Sequence, residues 1–222
     1  MTNYVPVFFD IETTGFNPLH QRYFGETDYG ARVTAIGIGT MNDAWKNGAE
    51  YEDCEPEVDV LWDKSEYRLL DVASDRIEAI VDFYDDEGYQ PFLVTFNGRN
   101  YDHPYMGARY ARLRLDGSWW NQKLKRLDMM RALGKRMSGV SRYPSEDDCL
   151  EAVGIESEDE YDGSDMPDFY EDGEWDKIQS HCHDDVEEMM MLFCEETEFC
   201  MEEFYEHYDV DAEASFEEEV EF

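Results

Sequence analysis

VPVFFDIETTGF, residues 5–16, places two carboxylates at the end of a short apolar run. Aromatic and β-branched residues lead into Asp10 and Glu12, and Thr13, Thr14 and Gly15 supply a turn. Residues 5–9 read as a buried strand, and side chains two apart on a strand point to one side of its sheet. Asp10 and Glu12 therefore share a face. Either they are the solvated rim of a sheet, or they hold something positively charged, because a buried carboxylate is costly unless paired or bound to a metal.

Two further places put an acid where burial should discourage one. Asp102 follows the apolar strand pattern PFLVTF and the turn NGRNY, where it can also serve as a helix N-cap before Pro104. Asp184-Asp185 sits in a helical pattern with Val186, Met189, Leu192 and Phe193. Each alone reads as ordinary: a wet strand end, a cap, one more charge on an acidic helix.

The intervening chain predicts a mixed α/β sheet. ARVTAIGIGTM (31–41) reads as a second strand, and a weaker third is expected near Glu50 to Cys54. Leu69, Leu70, Val72, Ala73, Ile77, Ile80, Val81 and Tyr84 follow helical spacing, and Gly88 suits a stop. PFLVTFNG (91–98) reads as a buried strand, followed by a basic helix from about His103 to Leu115. KLKRLDMMRAL (123–133) fits either a strand or a helix start. Residues 154–174 read as an acidic surface loop, and a long helix is expected from about Trp175 to His207. The expected organisation is one domain over 1–207 and an acidic tail over 208–222.

The 222 residues carry 55 acids and 18 bases, a formal charge of −37. The charge is uneven. From Pro91 to Arg142 there are 11 Lys/Arg and 3 Asp/Glu, whereas Lys177 is the only base after Arg142. The acidity suits a solvated shell in a high-salt cytoplasm, of a halophilic archaeal or viral kind; the competing reading is nucleic-acid mimicry. The basic segment suggests a face that meets phosphate, with Arg99, Arg109, Arg112, Arg114, Lys123, Lys125, Arg126 and Arg131 along it and Trp119 and Trp120 as stacking candidates. No run approaches the roughly 20 apolar residues of a membrane span, and the N-terminus lacks the pattern of a secretory signal. Cys54, Cys149, Cys182, Cys194 and Cys200 read as free thiols of a reducing compartment. Zinc held by His181, Cys182, His183 and Cys194 is the weaker alternative, lacking paired-ligand spacing.

FDIETTG (9–15), NGRNYDHPYM (97–106) and HCHDDVEEMMML (181–192) together resemble the three motifs of the DEDD 3'-5' exonuclease superfamily. The likeness is nearest to predicted exonucleases related to the proofreading domain of B-family DNA polymerases, with F-D-I-E-T, N-G-x-x-F-D-x-P and Y-C-x-x-D-V. DGSDMPDFYEDGEWDKIQSHC (162–182) also resembles that family's approach to its last helix. The resemblance spans roughly residues 5–195. It implies a ribonuclease-H-like mixed sheet flanked by helices, and two divalent metal ions, Mg²⁺ or Mn²⁺, held by Asp10, Glu12, Asp102 and Asp185. Two such ions about 3.5–4 Å apart serve phosphodiester displacement by stabilising the attacking and leaving oxygens.

The implied substrate is the 3' end of single-stranded DNA. An RNA 3'-exonuclease, or a catalytically idle DNA-binding or DNA-mimicking protein, remains open. A polymerase module does not fit in 222 residues, so proofreading would need a DNA polymerase or repair partner.

Where the tyrosine branch has its tyrosine, four residues before the last Asp, this sequence has His181; the histidine branch has its His one residue earlier, where Ser180 stands. His181 is the expected general base, with His183 as the fallback, and Asp184 competes with Asp185 as ligand. Thr13, Asn97 and Tyr101 are expected at the nucleic-acid cleft, and Phe16 either wedges against the terminal base or packs locally.

Overall fold

The computed structural model describes residues 3–15, 32–117, 124–137, 141–157 and 159–208. Phe16, Trp119, Trp120, Lys123 and the tail beyond Tyr208 lie outside the described residues.

Five strands form one mixed sheet in the order β3-β2-β1-β4-β5: β1 (Asn3–Thr13), β2 (Val33–Thr40), β3 (Glu57–Trp62), β4 (Tyr89–Thr95) and β5 (Lys125–Asp128). β1 pairs antiparallel with β2 and parallel with β4; β2 pairs antiparallel with β3, and β4 parallel with β5. Among the described residues seven α-helices accompany them: α1 (Glu66–Asp86), α2 (Asp102–Leu113), α3 (Met129–Arg136), α4 (Glu146–Val153), α5 (Met166–Asp172), α6 (Trp175–Glu195) and α7 (Thr197–Tyr208). The mixed α/β expectation holds. Among the described residues no helix is long and apolar enough to cross a membrane.

β1 is central and buried on both faces, which explains its nearly continuous apolar sequence. Val7, Phe9 and Ile11 face the layer containing Leu69, Ile77, Tyr105 and Tyr110 from α1 and α2. Tyr4 and Phe8 face the opposite layer, with Val186, Met190 and Phe193 of α6 and Phe204 of α7. Fully burying a side chain such as Phe8 contributes about 1.5–3 kcal/mol. Asp10 and Glu12 continue the Phe8 series and so end beneath α6.

Two glycines set how closely α6 approaches. Gly37 and Gly39 of β2 pair with Asp10 and Phe8. A Cβ on Gly37 would stand 2.5 Å from Val186 Cγ2 and 3.0 Å from the Cys182 carbonyl, and one on Gly39 2.5 Å from Met190 Sδ. Small residues here let the helix lie against the sheet beside the carboxylates.

Four local expectations need correction. Tyr51–Cys54 is a 3₁₀ turn, and β3 lies a few residues later. KLKRLDMMRAL contains both elements, β5 passing straight into α3. The long terminal helix is two, because Glu196 leaves helical geometry and Thr197 turns its hydroxyl onto the Phe193 and Cys194 carbonyls (2.7 and 3.2 Å). The acidic loop is also partly ordered: Asp162 and Asp165 form a capping box, and α5 follows with Pro167 in its first turn.

Candidate active site

The end of β1, the start of α2 and the middle of α6 meet over one cleft lined by Asp10, Glu12, Asp102, His181 and Asp185, with Thr13, Asn97 and Tyr101 on its walls. A register shift between Glu12 and Thr13 ends regular pairing with β2 at this point, as bulges beside functional sites do. Asp102 is the first residue of α2 rather than its cap. The preceding turn has Asn97 in the left-handed region (φ 58°), which asparagine tolerates better than most residues. Tyr101 N–H donates to the Asn97 carbonyl at 3.2 Å, and His103 N–H to that of Gly98 at 2.8 Å. The NGRNYD spacing thereby folds back to present the Asp102 carboxyl.

Two of the four acids are buried, Asp10 and Asp185 are partly buried, and all four repel one another. Glu12 and Asp102 are only 5% and 2% exposed. Burial raises Asp10 to about 6, partly offset by His181. Glu12, Asp102 and Asp185 lie well above the usual carboxylate range, through burial first and then the charge of Asp10 and other neighbouring acids. Among the described residues no Lys or Arg pairs with any of the four, and Asp10 Oδ2 and Asp102 Oδ2 are buried without a hydrogen-bond partner. Orphaned, mutually repelling oxygen donors are what a hard divalent cation requires. The residues present therefore fit Mg²⁺ or Mn²⁺.

His181 is 5% exposed and enters the same cluster. Its Nδ1 lies 2.6 Å from Asp159 Oδ2, and its Nε2 lies 3.6 Å from both Glu12 Oε1 and Asp185 Oδ2. His183 points elsewhere, to Asp184 and Glu187. His181 and Asp185 thus line the cleft, and His183 and Asp184 do not. The zinc alternative does not assemble, since Cys194 faces Cys54 at 4.0 Å. The five cysteines are free, and burial keeps the Cys182 thiol well above its ordinary value.

Thr13 and Tyr101 close one wall through a 2.7 Å hydroxyl–hydroxyl bond, and Thr13 donates to the Gly15 carbonyl at 3.1 Å. Burial pushes Tyr101 up to about 12, so its hydroxyl stays protonated.

The basic residues divide. Arg109 is a correction: it is 4% exposed and makes a two-pronged ion pair with Glu66, whose Oε1 also accepts Val33 N–H at 2.9 Å. It ties α2 to α1 and β2 and cannot meet phosphate. Arg112 is exposed but lies ten residues along α2 from Asp102, about 15 Å at the helix rise. Lys125 lies over the Tyr4, Phe204 and Tyr208 rings. Arg99, Arg126 and Arg131 line a second cleft with His103, Asp128 and Tyr208.

Two acids were missed from sequence. Asp159 lies within residues 154–174, whose sequence reads as an acidic surface loop. Glu146, the first residue of α4, has Oε1 buried without a partner among the described residues and is raised well above its ordinary value by burial, then by Asp10 and Glu188. Nothing in SEDDCLEAV separates Glu146 from its acidic neighbours.

The RNase_H_2 family model, described as the RNase_H superfamily, matches residues 51–195. That stretch contains Asp102, His181 and Asp185 and starts beyond Asp10 and Glu12. None of the curated proteins compared matches the chain. Among solved structures, the family B DNA polymerase of the hyperthermophilic archaeon Pyrobaculum calidifontis superposes with a TM-score of 0.55 at 16% identity, over 86% of this chain and 24% of the polymerase. E. coli Exonuclease I in complex with a dT13 oligonucleotide gives 0.53 at 12% identity, over 92% of this chain and 43% of the exonuclease. Its complex with a 5cy-dT13 oligonucleotide gives 0.52 at 12%, over 93% and 42%. The chain thus spans less than half of each of these proteins. At such identities the likeness speaks to the fold, which agrees with the expected ribonuclease-H-like sheet.

Proposed function

The chain belongs to the RNase_H superfamily, and from that premise we propose that it is a metal-dependent 3'-5' exonuclease acting on the 3' ends of single-stranded DNA. The observation that carries this reading is the convergence of Asp10, Glu12, Asp102 and Asp185, from three distant segments, on one cleft with two orphaned carboxylate oxygens. Exonuclease I, which shares the fold, binds an oligonucleotide, and this makes single-stranded DNA the first substrate to test.

In this reading Asp10, Glu12, Asp102 and Asp185 hold two divalent cations, Mg²⁺ or Mn²⁺. Bound there, such cations supply the positive charge that stabilises the attacking and leaving oxygens of a phosphodiester displacement. His181 Nε2, facing Glu12 and Asp185, takes the proton of the attacking water as its oxygen bonds to phosphorus. The phosphorus–O3' bond breaks, solvent protonates the departing oxygen, and a nucleoside 5'-monophosphate leaves. Thr13, Asn97 and Tyr101 shape the wall against which the terminal nucleotide lies. Arg99 contacts phosphate from the neighbouring cleft, and Arg112 is left to contacts with more distant nucleotides. The charge of −37 suits a salt-rich cytoplasm of a halophilic archaeal or viral kind, and a polymerase or repair partner would present the 3' ends.

The test is hydrolysis of a 5'-labelled single strand with Mn²⁺ at high salt, read as stepwise shortening from the 3' end. Asp10→Ala and Glu12→Ala should abolish turnover and leave the far-UV circular dichroism unchanged. RNA of the same sequence separates the ribonuclease alternative. Failure to cleave either polymer, with Mg²⁺ or Mn²⁺, defeats the enzymatic reading in favour of an idle nucleic-acid-binding or mimicking protein.

A further inference from the structure

We propose that Asp159 is the positioning residue of the site: it fixes the tautomer and orientation of His181, so that an unprotonated Nε2 faces the carboxylates. This deepens the exonuclease reading and rests on it for its catalytic consequence.

The bond is short and sheltered. His181 Nδ1 and Asp159 Oδ2 are 2.6 Å apart, with side chains 6% and 10% exposed. A carboxylate can only accept, so the Nδ1 proton completes the bond. In the neutral imidazole that leaves the Nε2 lone pair free of hydrogen, because only one ring nitrogen then carries a proton. On that side the Glu12 and Asp185 oxygens, both 3.6 Å away, are too distant to be hydrogen-bonded. Among the described residues Nε2 is thus uncommitted, and it faces the cleft. Gly163 lies on that side, where a Cβ would stand in van der Waals contact with Nε2 at 3.6 Å.

Asp159 is itself held. Its Oδ1 accepts Tyr161 N–H at 3.0 Å, and its own N–H donates to Ser157 Oγ at 3.2 Å. The first contact is an Asx turn, in which an Asp side chain closes its own loop. With Oδ1 tied to the loop, Oδ2 is the oxygen left for the imidazole. The turn from Asp159 to Tyr161, which precedes α6 in the chain, therefore builds a bracket for one histidine. A carboxylate hydrogen-bonded to the rear nitrogen of a working imidazole both orients the ring and selects its tautomer.

Histidine-selective ¹⁵N NMR of the metal-free protein, at a pH where the ring is neutral, reads the tautomer directly. The expected spectrum has His181 Nδ1 protonated and Nε2 unprotonated. Asp159→Ala should redistribute the proton between the two nitrogens. On single-stranded DNA with Mn²⁺, kcat should fall about 10- to 100-fold, the range for such supporting partners, with KM and calorimetric Mn²⁺ affinity within about twofold. Asp159→Glu, which restores the acceptor, should recover part of both the signal and the rate.

Asp159→Asn, which keeps the size, guards against a folding artefact: it too should disturb the tautomer while circular dichroism and Tm hold. A protonated Nε2 in the parent protein overturns the proposal. So does a kcat loss in Asp159→Ala or Asp159→Asn with the His181 tautomer unchanged. The NMR arm needs no substrate, so the bracket stands or falls separately from the exonuclease reading.

Discussion

Asp10 and Gly37 face each other across the β1–β2 ladder, and the missing side chain of Gly37 is the space that Val186 of α6 occupies. The acid that starts the first motif and the helix that carries Asp185 are brought together by an absence. Gly37→Ala should therefore force α6 outward, because its Cβ would stand 3.0 Å from the Cys182 backbone carbonyl, which cannot swing aside as a side chain can. Overpacking of this kind costs about 1–3 kcal/mol. Urea denaturation should show that loss, and titration calorimetry a weaker Mn²⁺ affinity, although Gly37 offers no ligand. An unchanged affinity would show that the helix position does not govern the cleft.

The raised carboxylates make a prediction about pH. A carboxyl whose folded pKa is raised binds its proton more tightly when folded, so its contribution to stability falls as pH rises. For Asp10 the decline runs from about 4 to about 6, and for Glu12, Asp102 and Asp185 it continues higher. In EDTA, Asp10→Asn should thus gain thermal stability over the parent at pH 8, by about 1 kcal/mol or about 2–4 °C. At pH 4 the two should match. Mn²⁺ should raise the parent's Tm more at pH 8 than at pH 5, since ligation needs the ionised acids, and the variant's Tm much less. A pH-independent difference between the two proteins in EDTA would remove the repulsion from the explanation.

Arg109 yields a prediction of stability rather than binding. Removing one partner of a buried ion pair leaves the other charge uncompensated, at about 3–5 kcal/mol. Arg109→Ala should lose that amount in chemical denaturation. The double variant Arg109→Met, Glu66→Gln should recover most of it, because Glu66 is then no longer a buried anion. Oligonucleotide affinity of the double variant, measured where it is folded, should match the parent's. A selective loss of DNA binding would return Arg109 to the phosphate surface.

Arg109 also shows where sequence stops being legible. Periodicity exposed β1, α1 and β4, since an apolar face repeats regularly along each. The four cleft acids were visible because each interrupts such a pattern, and their order and spacing matched a known set. Arg109 carries the same letter as its exposed neighbours, and its partner Glu66 lies 43 residues away. The bracket from Asp159 was hidden likewise. In an acidic, turn-rich stretch every Asp resembles the next, and only the tertiary path selects the one that reaches His181. The break at Glu196 was missed because the apolar spacing continues into α7, while the interruption is made by a Thr197 hydroxyl.

The acidic surface predicts an unusual dependence on salt. Like charges at −37 repel over a Debye length of about 10 Å at 0.1 M salt, which contracts to about 3 Å at 1 M. The cations that are ion-paired, such as Arg136 with Glu202, Glu203 and Glu206 and Lys135 with Glu203, neutralise only a small share of that charge. Raising KCl from 0.1 to 2 M (about 10 Å to under about 3 Å of screening) should therefore increase Tm, although the same salt weakens the more exposed of these pairs. Oligonucleotide binding through Arg99 and its neighbours should weaken over the same range, because neutralised phosphates release counterions. Stability and affinity should thus move in opposite directions, and the salt slope of binding should flatten in Arg99→Gln. A Tm that falls with KCl would mean that local ion pairs, not overall repulsion, govern the fold's response to salt.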